Sequence, residues 1–161
     1  MYAAEFDYVR ASSIEEAISL KEANDDSCYL AGGHSLIPAI KLRLSTPHKL
    51  IDISRLDKLK NISKNGNFIS VGALCTHKQC AESDIIQSCC PALSDAASVI
   101  GDPHVRNKGT IGGALAHSDP QADYPGVVLA LKATFILKGP SGERTIDAVD
   151  YFTGLWETAL G

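Results

Sequence analysis

The sequence lacks any long hydrophobic run, and nowhere does it approach the roughly 20 consecutive apolar residues that span a bilayer. Residues 1–5 also lack the basic-then-apolar order of a secretory signal peptide. An apolar fraction of 45% and a charged fraction of 21% are ordinary for a soluble globular protein. We therefore expect a cytoplasmic protein with no membrane span.

A concentration of basic residues is also missing. The chain has 15 lysines and arginines against 19 aspartates and glutamates, which gives a formal net charge of -4. Nucleic-acid-binding proteins need a basic face to neutralise phosphates, and no such face is evident in the sequence. Nucleic acid is therefore not expected as a partner.

Grouped metal-binding side chains are absent as well. The five cysteines include no Cys-x-x-Cys pair, so they cannot supply the clustered thiolates that an iron–sulfur centre needs. If electrons pass through this protein, another chain must carry the cluster. The spacings of His77, His104 and His117 match no zinc or iron pattern, so no metal site is predicted. No Gly-x-Ser-x-Gly motif indicates a hydrolase, and no catalytic residue is assigned.

The first third of the chain has the pattern of a small α/β unit. Residues 6–10, 28–31 and 50–53 are predicted strands, and a helix is predicted over 36–44. Ser13 and Glu16 have the spacing of a capping box that opens another helix. This strand–helix–strand–helix–strand order predicts a parallel sheet with right-handed crossovers, in a lobe covering residues 1–57.

The pattern changes after residue 57. Asn65-Gly66, between predicted strands at 61–64 and 67–71, is the strongest hairpin signal in the sequence. Helices are predicted at 78–81, 92–99 and 124–131, with Pro91 in a first turn. A strand at 133–137 is expected to turn at 139–142 and return along 144–146. Residues 58–161 are therefore expected to form a second, mainly antiparallel lobe.

Two glycine pairs stand out. Gly32-Gly33 follows a predicted strand and precedes a predicted helix, and Gly112-Gly113 is followed by short polar residues and a proline. Paired glycines let the backbone approach a ligand closely and leave N–H groups free to point at it. One such pair is more often a tight turn. Two in one small chain predict a single ligand held from two sides.

The residues around these pairs carry a resemblance. Gly-Gly-His-Ser-Leu-Ile-Pro from Gly32, and Thr-Ile-Gly-Gly-x-x-Ala-His-x-Asp-Pro from Thr110, resemble the FAD-binding loops of the flavin-carrying medium subunit of molybdenum hydroxylases. That family includes carbon monoxide dehydrogenase and xanthine dehydrogenase. The resemblance runs from Phe6 to Gly154. It implies an α+β fold of the FAD-binding PCMH type, with FAD stretched in a cleft between two lobes.

The resemblance also implies which residues hold the cofactor. They are Ala31, Gly32, Gly33, His34, Ser35, Leu36, Ile100, Thr110, Ile111, Gly112, Gly113, Ala114 and Asp123. Backbone N–H groups of residues 32–36, at a helix N-terminus, suit the FAD diphosphate, with His34 facing the phosphates and the Ser35 hydroxyl adding a donor. Gly112 and Gly113 are expected to let the backbone pass against the cofactor. Lys41 and Arg43 are interpreted as a solvated helical face.

Three of these positions have alternatives or departures. Asp123 is implied to bind ribityl or ribose hydroxyls, and it also suits a helix cap. Ile100 is implied to pack against the isoalloxazine ring, and it equally suits the core. The family usually has asparagine where this sequence has Ala114, which removes one or two hydrogen bonds of about 1 kcal/mol each.

The function implied by the resemblance is electron transfer within an oxidoreductase complex. FAD would receive electrons from a [2Fe–2S] small subunit, supplied in turn by a molybdopterin large subunit, and deliver them to an external acceptor. A first alternative is a scaffold that has lost FAD, motivated by Ala114 and by the family's final strand and C-terminal domain, which this sequence does not contain. A second is a flavin reductase of the cell-wall precursor type, which would need its own substrate domain.

Overall fold

The amino-terminal part of the chain forms a three-stranded parallel sheet. The computed structural model describes residues 2–160, and Met1 and Gly161, at the outer limits of the two expected lobes, lie outside the described residues. The strands are β1 (Asp7–Arg10), β2 (Ser27–Leu30) and β3 (Lys49–Asp52). They lie in the order β1-β3-β2, with β3 parallel to both neighbours. The predicted parallel sheet is confirmed, and its carboxyl edge is formed by the ends of all three strands.

Two helices connect these strands, α1 (Ile14–Glu22) and α2 (Leu36–Lys41). The Ser13 hydroxyl accepts from the Glu16 N–H at 3.1 Å, as predicted. The Glu16 carboxylate, however, accepts from the Ser12 N–H at 2.7 Å, so the predicted capping box is only half formed. Helix α2 is shorter than the predicted 36–44, because Arg43 adopts a left-handed φ of 58° and ends the helical path.

A hairpin follows a single 3₁₀ turn at Asp57–Leu59. Its antiparallel strands are β4 (Ile62–Asn65) and β5 (Phe68–Val71). Asn65 pairs with Phe68, so the turn residues are Gly66 and Asn67 rather than the expected Asn65 and Gly66. Gly66 has a φ of 59°, which a two-residue hairpin turn requires and glycine adopts at low cost. The hairpin is confirmed, with its turn one residue later.

Short helices make up most of the middle of the chain. They are α3 (His77–Glu82), α4 (Asp84–Cys89), α5 (Pro91–Val99), α6 (Pro103–Arg106), α7 (Ile111–His117) and α8 (Asp123–Ala130). The three predicted helices correspond to α3, α5 and α8 within one residue at each end. The sequence did not predict α4, α6 or α7, because four to seven residues give no readable hydrophobic period. None of the helices within residues 2–160 is long and apolar enough to cross a membrane.

The last part of the described chain returns to strands. Strand β6 (Thr134–Gly139) pairs with β7 (Gly142–Asp147), which confirms the turn at 139–142. Helix α9 (Ala148–Tyr151) then leads into β8 (Phe152–Gly154) and β9 (Glu157–Thr158), which the sequence did not predict. Over residues 2–160 the antiparallel strands form three separate two-stranded sheets. The α+β class is confirmed, and the second half is richer in helix than expected.

Two hydrophobic clusters form the core. The larger one gathers residues of α3, α4, α5, α7, α8 and α9 around the fully buried Tyr124. The smaller one packs α1 against the parallel sheet, with Ile51 at its centre. Leu74 belongs to the smaller cluster although it lies beyond residue 57. The division of the chain between residues 57 and 58 therefore stays a prediction.

Candidate functional site

The first glycine pair lies in the loop between the carboxyl end of β2 and the start of α2. Gly33 has a φ of 75°, and a Cβ added there would lie 3.1 Å from side-chain carbons of both Leu30 and Ile37. This conformation turns the chain sharply over the sheet edge and only glycine adopts it without strain. His34 and Ser35, which follow, are exposed.

The backbone N–H groups of this loop are uncommitted. Over the described residues, none of the N–H groups from Gly32 to Leu36 donates a hydrogen bond to another protein group. The Ser35 hydroxyl, at the N-cap of α2, makes no capping bond either. Free amides at the start of a helix are suitable donors for a phosphate group. The loop thus has the donors that the sequence analysis expected.

The second glycine pair differs, because it lies within the first turn of α7 instead of a loop. Thr110 is the buried N-cap, and its hydroxyl accepts from the Gly113 N–H at 3.1 Å. The Gly112 N–H donates to the carbonyl of Ala73 at 2.9 Å, and the Ala114 N–H donates to the carbonyl of Thr110 at 3.0 Å. The expectation of a second open amide loop is therefore wrong: these N–H groups are used by the protein itself.

The two glycines of the second pair serve different contacts. A Cβ on Gly112 would lie 2.6 Å from the carbonyl oxygen of Ala73, so the absence of a side chain lets α7 pack against that backbone. A Cβ on Gly113 would lie 2.8 Å from the Thr110 hydroxyl oxygen and 4.0 Å from the Cβ of Ala31, and Gly113 is exposed. Gly113 therefore lies next to the first glycine loop, and its lack of a side chain leaves room for the Thr110 cap.

The first motif is in direct contact with the backbone just before the second motif. A Cβ on Gly32 would lie 2.0 Å from the carbonyl oxygen of Lys108 and 2.9 Å from the Cα of Gly109. No side chain fits at position 32 unless this contact opens. The structure thus brings together the two glycine motifs that the sequence separates by about 80 residues.

A cleft of about 760 Å³ lies along this contact, within the usual size range of small-molecule sites. Its walls combine the first loop, α2, the segment between β5 and α3, the start of α3 and the segment before α7. They are formed by Ala31, Gly32, Gly33, His34, Ile37, Pro38, Lys41, Ser54, Lys60, Leu74, Thr76, Gln79, Asn107, Lys108 and Thr110.

The cleft is positively charged although the chain is acidic overall. Lys41, Lys60 and Lys108 line it, and no carboxylate does. Lys60 is paired with Asp57 at 2.8 Å, whereas neither Lys41 nor Lys108 forms an ion pair within the described part of the chain. Lys41 is exposed on α2, as a solvated helical face requires, and it also borders the cleft. Arg43 instead donates to the carbonyl of Tyr2 at 3.3 Å.

Asp123 and Ile100 lie outside the two motifs. Asp123 is the exposed first residue of α8, where Ala122 is the N-cap, so its alternative role as a helix cap is wrong. Its carboxylate makes no hydrogen bond over residues 2–160. Ile100 follows α5 and packs partly buried against the larger core cluster, as its alternative interpretation predicts. Contact of either residue with a cofactor stays a prediction.

Sequence reasoning missed a buried polar pair beneath the second motif. The His77 Nδ1 lies 3.0 Å from the Tyr124 hydroxyl, and a Cβ on Gly109 would lie 2.6 Å from the His77 Nε2. Burial, together with a smaller effect of the nearby His34, lowers the pKa of His77 to about 4. The imidazole is therefore neutral near pH 7. The Thr76–Gln79 capping box, which starts the helix carrying His77, is the sequence signal that would have located it.

The fold and the cleft together define a class. A glycine loop at the carboxyl edge of a parallel sheet, with free amides, a helix start and a cationic wall, is typical of domains that bind a nucleotide cofactor through its diphosphate.

The comparison with known families identifies the particular one. Residues 4–161 match the family described as the FAD binding domain in molybdopterin dehydrogenase, and the chain belongs to that family. FAD is therefore the cofactor of this domain. The residues of the cleft fit it, since the free amides and the lysines suit a diphosphate.

Individual relatives agree with this family. The chain is 46% identical over 158 residues to the glyceraldehyde dehydrogenase medium chain of Sulfolobus acidocaldarius, covering 98% of this chain and 56% of that protein. It is 42% identical over 156 residues to the carbon monoxide dehydrogenase medium chain of Hydrogenophaga pseudoflava, covering 96% and 54%. The chain thus spans about half the length of these relatives.

Solved structures give the same result for the fold. Carbon monoxide dehydrogenase from Hydrogenophaga pseudoflava superposes with a TM-score of 0.98 at 42% identity, over all of this chain and 56% of that chain. Quinoline 2-oxidoreductase from Pseudomonas putida 86 superposes with a TM-score of 0.97 at 33% identity, over the same shares.

Proposed function

We propose that this chain is the FAD-holding part of an electron-transfer subunit in a molybdenum-dependent dehydrogenase complex. Bound FAD supplies the redox chemistry, because it exchanges electrons singly or in pairs. The protein binds FAD, orients it and tunes its surroundings. It needs no side chain acting as acid or base, so no catalytic residue is proposed.

The observation that carries the proposal is the set of free amides from Gly32 to Leu36. In a folded protein most backbone N–H groups are paired, so five unpaired donors in succession favour a ligand with several acceptor oxygens. The FAD diphosphate is such a ligand. We propose that it lies over Gly33, with the exposed His34 and Ser35 side chains beside it and Ala31 beneath.

Lysines on two walls of the cleft add positive charge to this proposed diphosphate site. Lys41 stands at the end of α2, and Lys108 stands just before the second motif. Both are free of ion pairs within residues 2–160, so their charges are available to the diphosphate. We propose them as further phosphate-binding residues, which the sequence analysis did not include.

The second motif contributes to the shape of the cleft rather than hydrogen-bond donors for the cofactor. Thr110, Ile111 and Gly112 are committed to packing and capping, so we propose that they hold the wall of the cleft in place. Gly113 and Ala114 would lie along the cofactor. The exposed carboxylate of Asp123 would accept hydrogen bonds from the ribityl or ribose hydroxyls.

The partners follow from the relatives. We propose a [2Fe–2S] small subunit as electron donor and a molybdopterin large subunit as the place of substrate oxidation, with delivery to an external acceptor. Relatives named as dehydrogenase medium chains support this assignment. The chain's own cysteines offer no Cys-x-x-Cys group for a cluster, which is consistent with a partner holding it.

Two measurements test the proposal in turn. Equilibrium dialysis of the purified chain against FAD should show saturable binding at one site per chain. Mixing the FAD-loaded chain with the two partner subunits and substrate should then bleach the flavin absorbance, at a rate limited by the iron–sulfur subunit's concentration. Binding without bleaching would restrict the function to FAD storage and contradict electron relay.

A scaffold that has lost FAD is a second candidate, favoured by one observation. The N–H groups of residues 111–114 are all used internally, and Ala114 provides no side-chain amide to replace them. If the chain is purified colourless and binds no FAD while still joining the partner subunits, the scaffold function is supported instead.

A further inference from the structure

The turn that follows the central strand of the parallel sheet borders the cofactor cleft. Strand β3 ends at Asp52 between β1 and β2, and Ser54, just beyond it, lines the cleft. The Ile53 N–H donates to the carbonyl of Leu30 at 3.0 Å, at the end of β2 where the first glycine loop begins. Ligands of α/β sheets bind beyond the carboxyl ends of the strands, so this turn stands where a cofactor is expected.

A buried carboxylate fixes the turn. Asp52 is 4% exposed, and its Oδ1 accepts from the Ser54 N–H at 2.8 Å. Its Oδ2 accepts from the Arg10 Nε at 3.0 Å and from the Tyr8 hydroxyl. Both carboxylate oxygens are bonded and the buried charge is paired with Arg10, which is the arrangement that a buried ion needs. The backbone of Ser54 is therefore held in place by groups that β1 and β3 fix.

The Ser54 hydroxyl lies beside the same carboxylate. Burial raises the pKa of Asp52, but hydrogen bonds from Ser54, Tyr8 and Arg10 outweigh it and lower the pKa to about 2. Asp52 is thus ionised near pH 7 and attracts the hydroxyl proton of Ser54. A serine hydroxyl has one proton and two lone pairs, so its oxygen remains an acceptor. Over residues 2–160 no protein donor reaches that oxygen, which borders the cleft.

We propose that Ser54 is a further cofactor-binding residue whose hydroxyl oxygen accepts a hydrogen bond from a sugar hydroxyl of FAD, with Asp52 as the residue that positions it. The inference rests on the proposed function, in which the diphosphate lies over Gly33 in the same cleft. The ribose of the adenosine half and the ribityl chain of the flavin half both flank the diphosphate, and both carry such hydroxyls. Fragments of the cofactor distinguish these two sources.

The test measures the FAD Kd by equilibrium dialysis for Ser54→Ala and for the control Ser70→Ala, an exposed serine outside the cleft. We expect Ser54→Ala to raise the Kd about fivefold, the equivalent of one net hydrogen bond, and Ser70→Ala to leave it unchanged. The Kd for ADP should rise as well if the hydroxyl belongs to the ribose, and the Kd for FMN if it belongs to the ribityl chain. Inorganic diphosphate carries no sugar and should bind Ser54→Ala and the unaltered chain equally.

A double-mutant cycle tests the role of Asp52. Asp52→Asn should raise the FAD Kd about as much as Ser54→Ala does, and should add nothing in the Ser54→Ala background, because it acts through that hydroxyl. A merely structural role would raise the Kd equally in both backgrounds. Tyr8→Phe is the matched control, since it removes a hydrogen bond from Oδ2 of the same carboxylate and leaves the bond to Ser54. Its FAD Kd should match that of the unaltered chain.

The outcomes separate this assignment from the proposed function. If the unaltered chain binds no FAD, the proposed function is overturned and this assignment with it. If it binds FAD and Ser54→Ala keeps the same Kd, only the role of Ser54 is overturned. Weaker binding of inorganic diphosphate by Ser54→Ala would also overturn it, because the hydroxyl would then serve the phosphates. Should Asp52→Asn fail to fold, Asp52→Glu decides, because it keeps the charge, displaces the acceptor and must raise the Kd only where Ser54 is present.

Discussion

The two glycine pairs of this protein look alike in sequence and do opposite work in the fold. At Gly32-Gly33 the amides that follow are free and the chain is exposed around them. At Gly112-Gly113 the amides are paired within the protein and the N-cap Thr110 is buried. The first pair begins a loop whose N–H groups have no protein partner within residues 2–160, whereas the second lets a helix approach its neighbours.

The comparison shows that the structural role of a glycine depends on which atoms occupy the space beside it. A Cβ on Gly112 would meet the backbone of Ala73, and a Cβ on Gly32 would meet the backbone of Lys108. Both glycines are packing requirements. Gly33 differs from both, since its positive φ turns the chain and the amides that follow donate to no protein group within residues 2–160.

The largest effect is expected at Gly33. Gly33→Asp combines strain at a φ of 75° with a carboxylate beside the proposed diphosphate, and we expect FAD affinity to fall by about 100-fold or more. Equilibrium dialysis measures it. Gly126→Asp is the matched control, because nothing lies within 4 Å of a Cβ at that position. Equal losses in both variants would contradict a specific role for the first loop.

The stability of the protein should depend on pH through His77, which lies beneath the second motif. The folded-state pKa of His77 is about 4, below the ordinary value of 6.5, so between these values the unfolded chain binds a proton that the folded chain does not. Stability is therefore full above about pH 6.5 and falls as the pH drops toward 4, by roughly 3 kcal/mol in total. Thermal unfolding from pH 4 to 7 measures the slope.

His77→Gln supplies the comparison for this slope. Glutamine keeps a polar group near the Tyr124 hydroxyl and does not titrate. The variant should lose most of the decline between pH 6.5 and 4, whatever its absolute stability. A slope unchanged from that of the unaltered chain would show that other groups cause it.

Gly112→Ala tests the packing role of the second motif. Alanine usually stabilises a helix relative to glycine, by about 1 kcal/mol. Here its Cβ would lie 2.5 Å from the Cβ of Ala73, so we expect a net loss of about 1–3 kcal/mol from overpacking. Urea unfolding measures it, with Gly126→Ala as the control in an open helical position. A stabilised Gly112→Ala would contradict the assigned contact.

A smaller effect on FAD affinity is expected from replacing the lysines that line the cleft. Lys41→Gln and Lys108→Gln should each weaken FAD binding about fivefold at low salt, since an exposed charge pair contributes about 1 kcal/mol. The difference should shrink as salt screens the charges. Lys58→Gln, an exposed lysine outside the cleft, is the control. Salt-independent losses would indicate that the two lysines act through packing.

The sequence was informative where patterns are local and periodic. Alternation and helix spacing located the parallel sheet, α5 and α8, and the resemblance named both motifs. It failed where the deciding contact is distant: nothing near Gly112 indicates Ala73, and nothing near His77 indicates Tyr124. The place of Lys41 beside the cleft was not readable for the same reason, because the cleft is completed by residues far along the chain.

The smallest effect tests whether the second motif can be given the donors it lacks. Ala114 lies partly buried in α7, where the resembled family has asparagine. Ala114→Asn should bind FAD about fivefold more tightly, because a side-chain amide adds about one net hydrogen bond, and should unfold slightly more easily, because asparagine forms helix less well. Ala116→Asn places the same amide elsewhere in the same helix and should show only the loss of stability. If only the variant at position 114 binds FAD more tightly, both glycine pairs face the cofactor, although their backbone N–H groups are used differently. Unchanged binding at both positions would indicate that Ala114 does not face the cofactor.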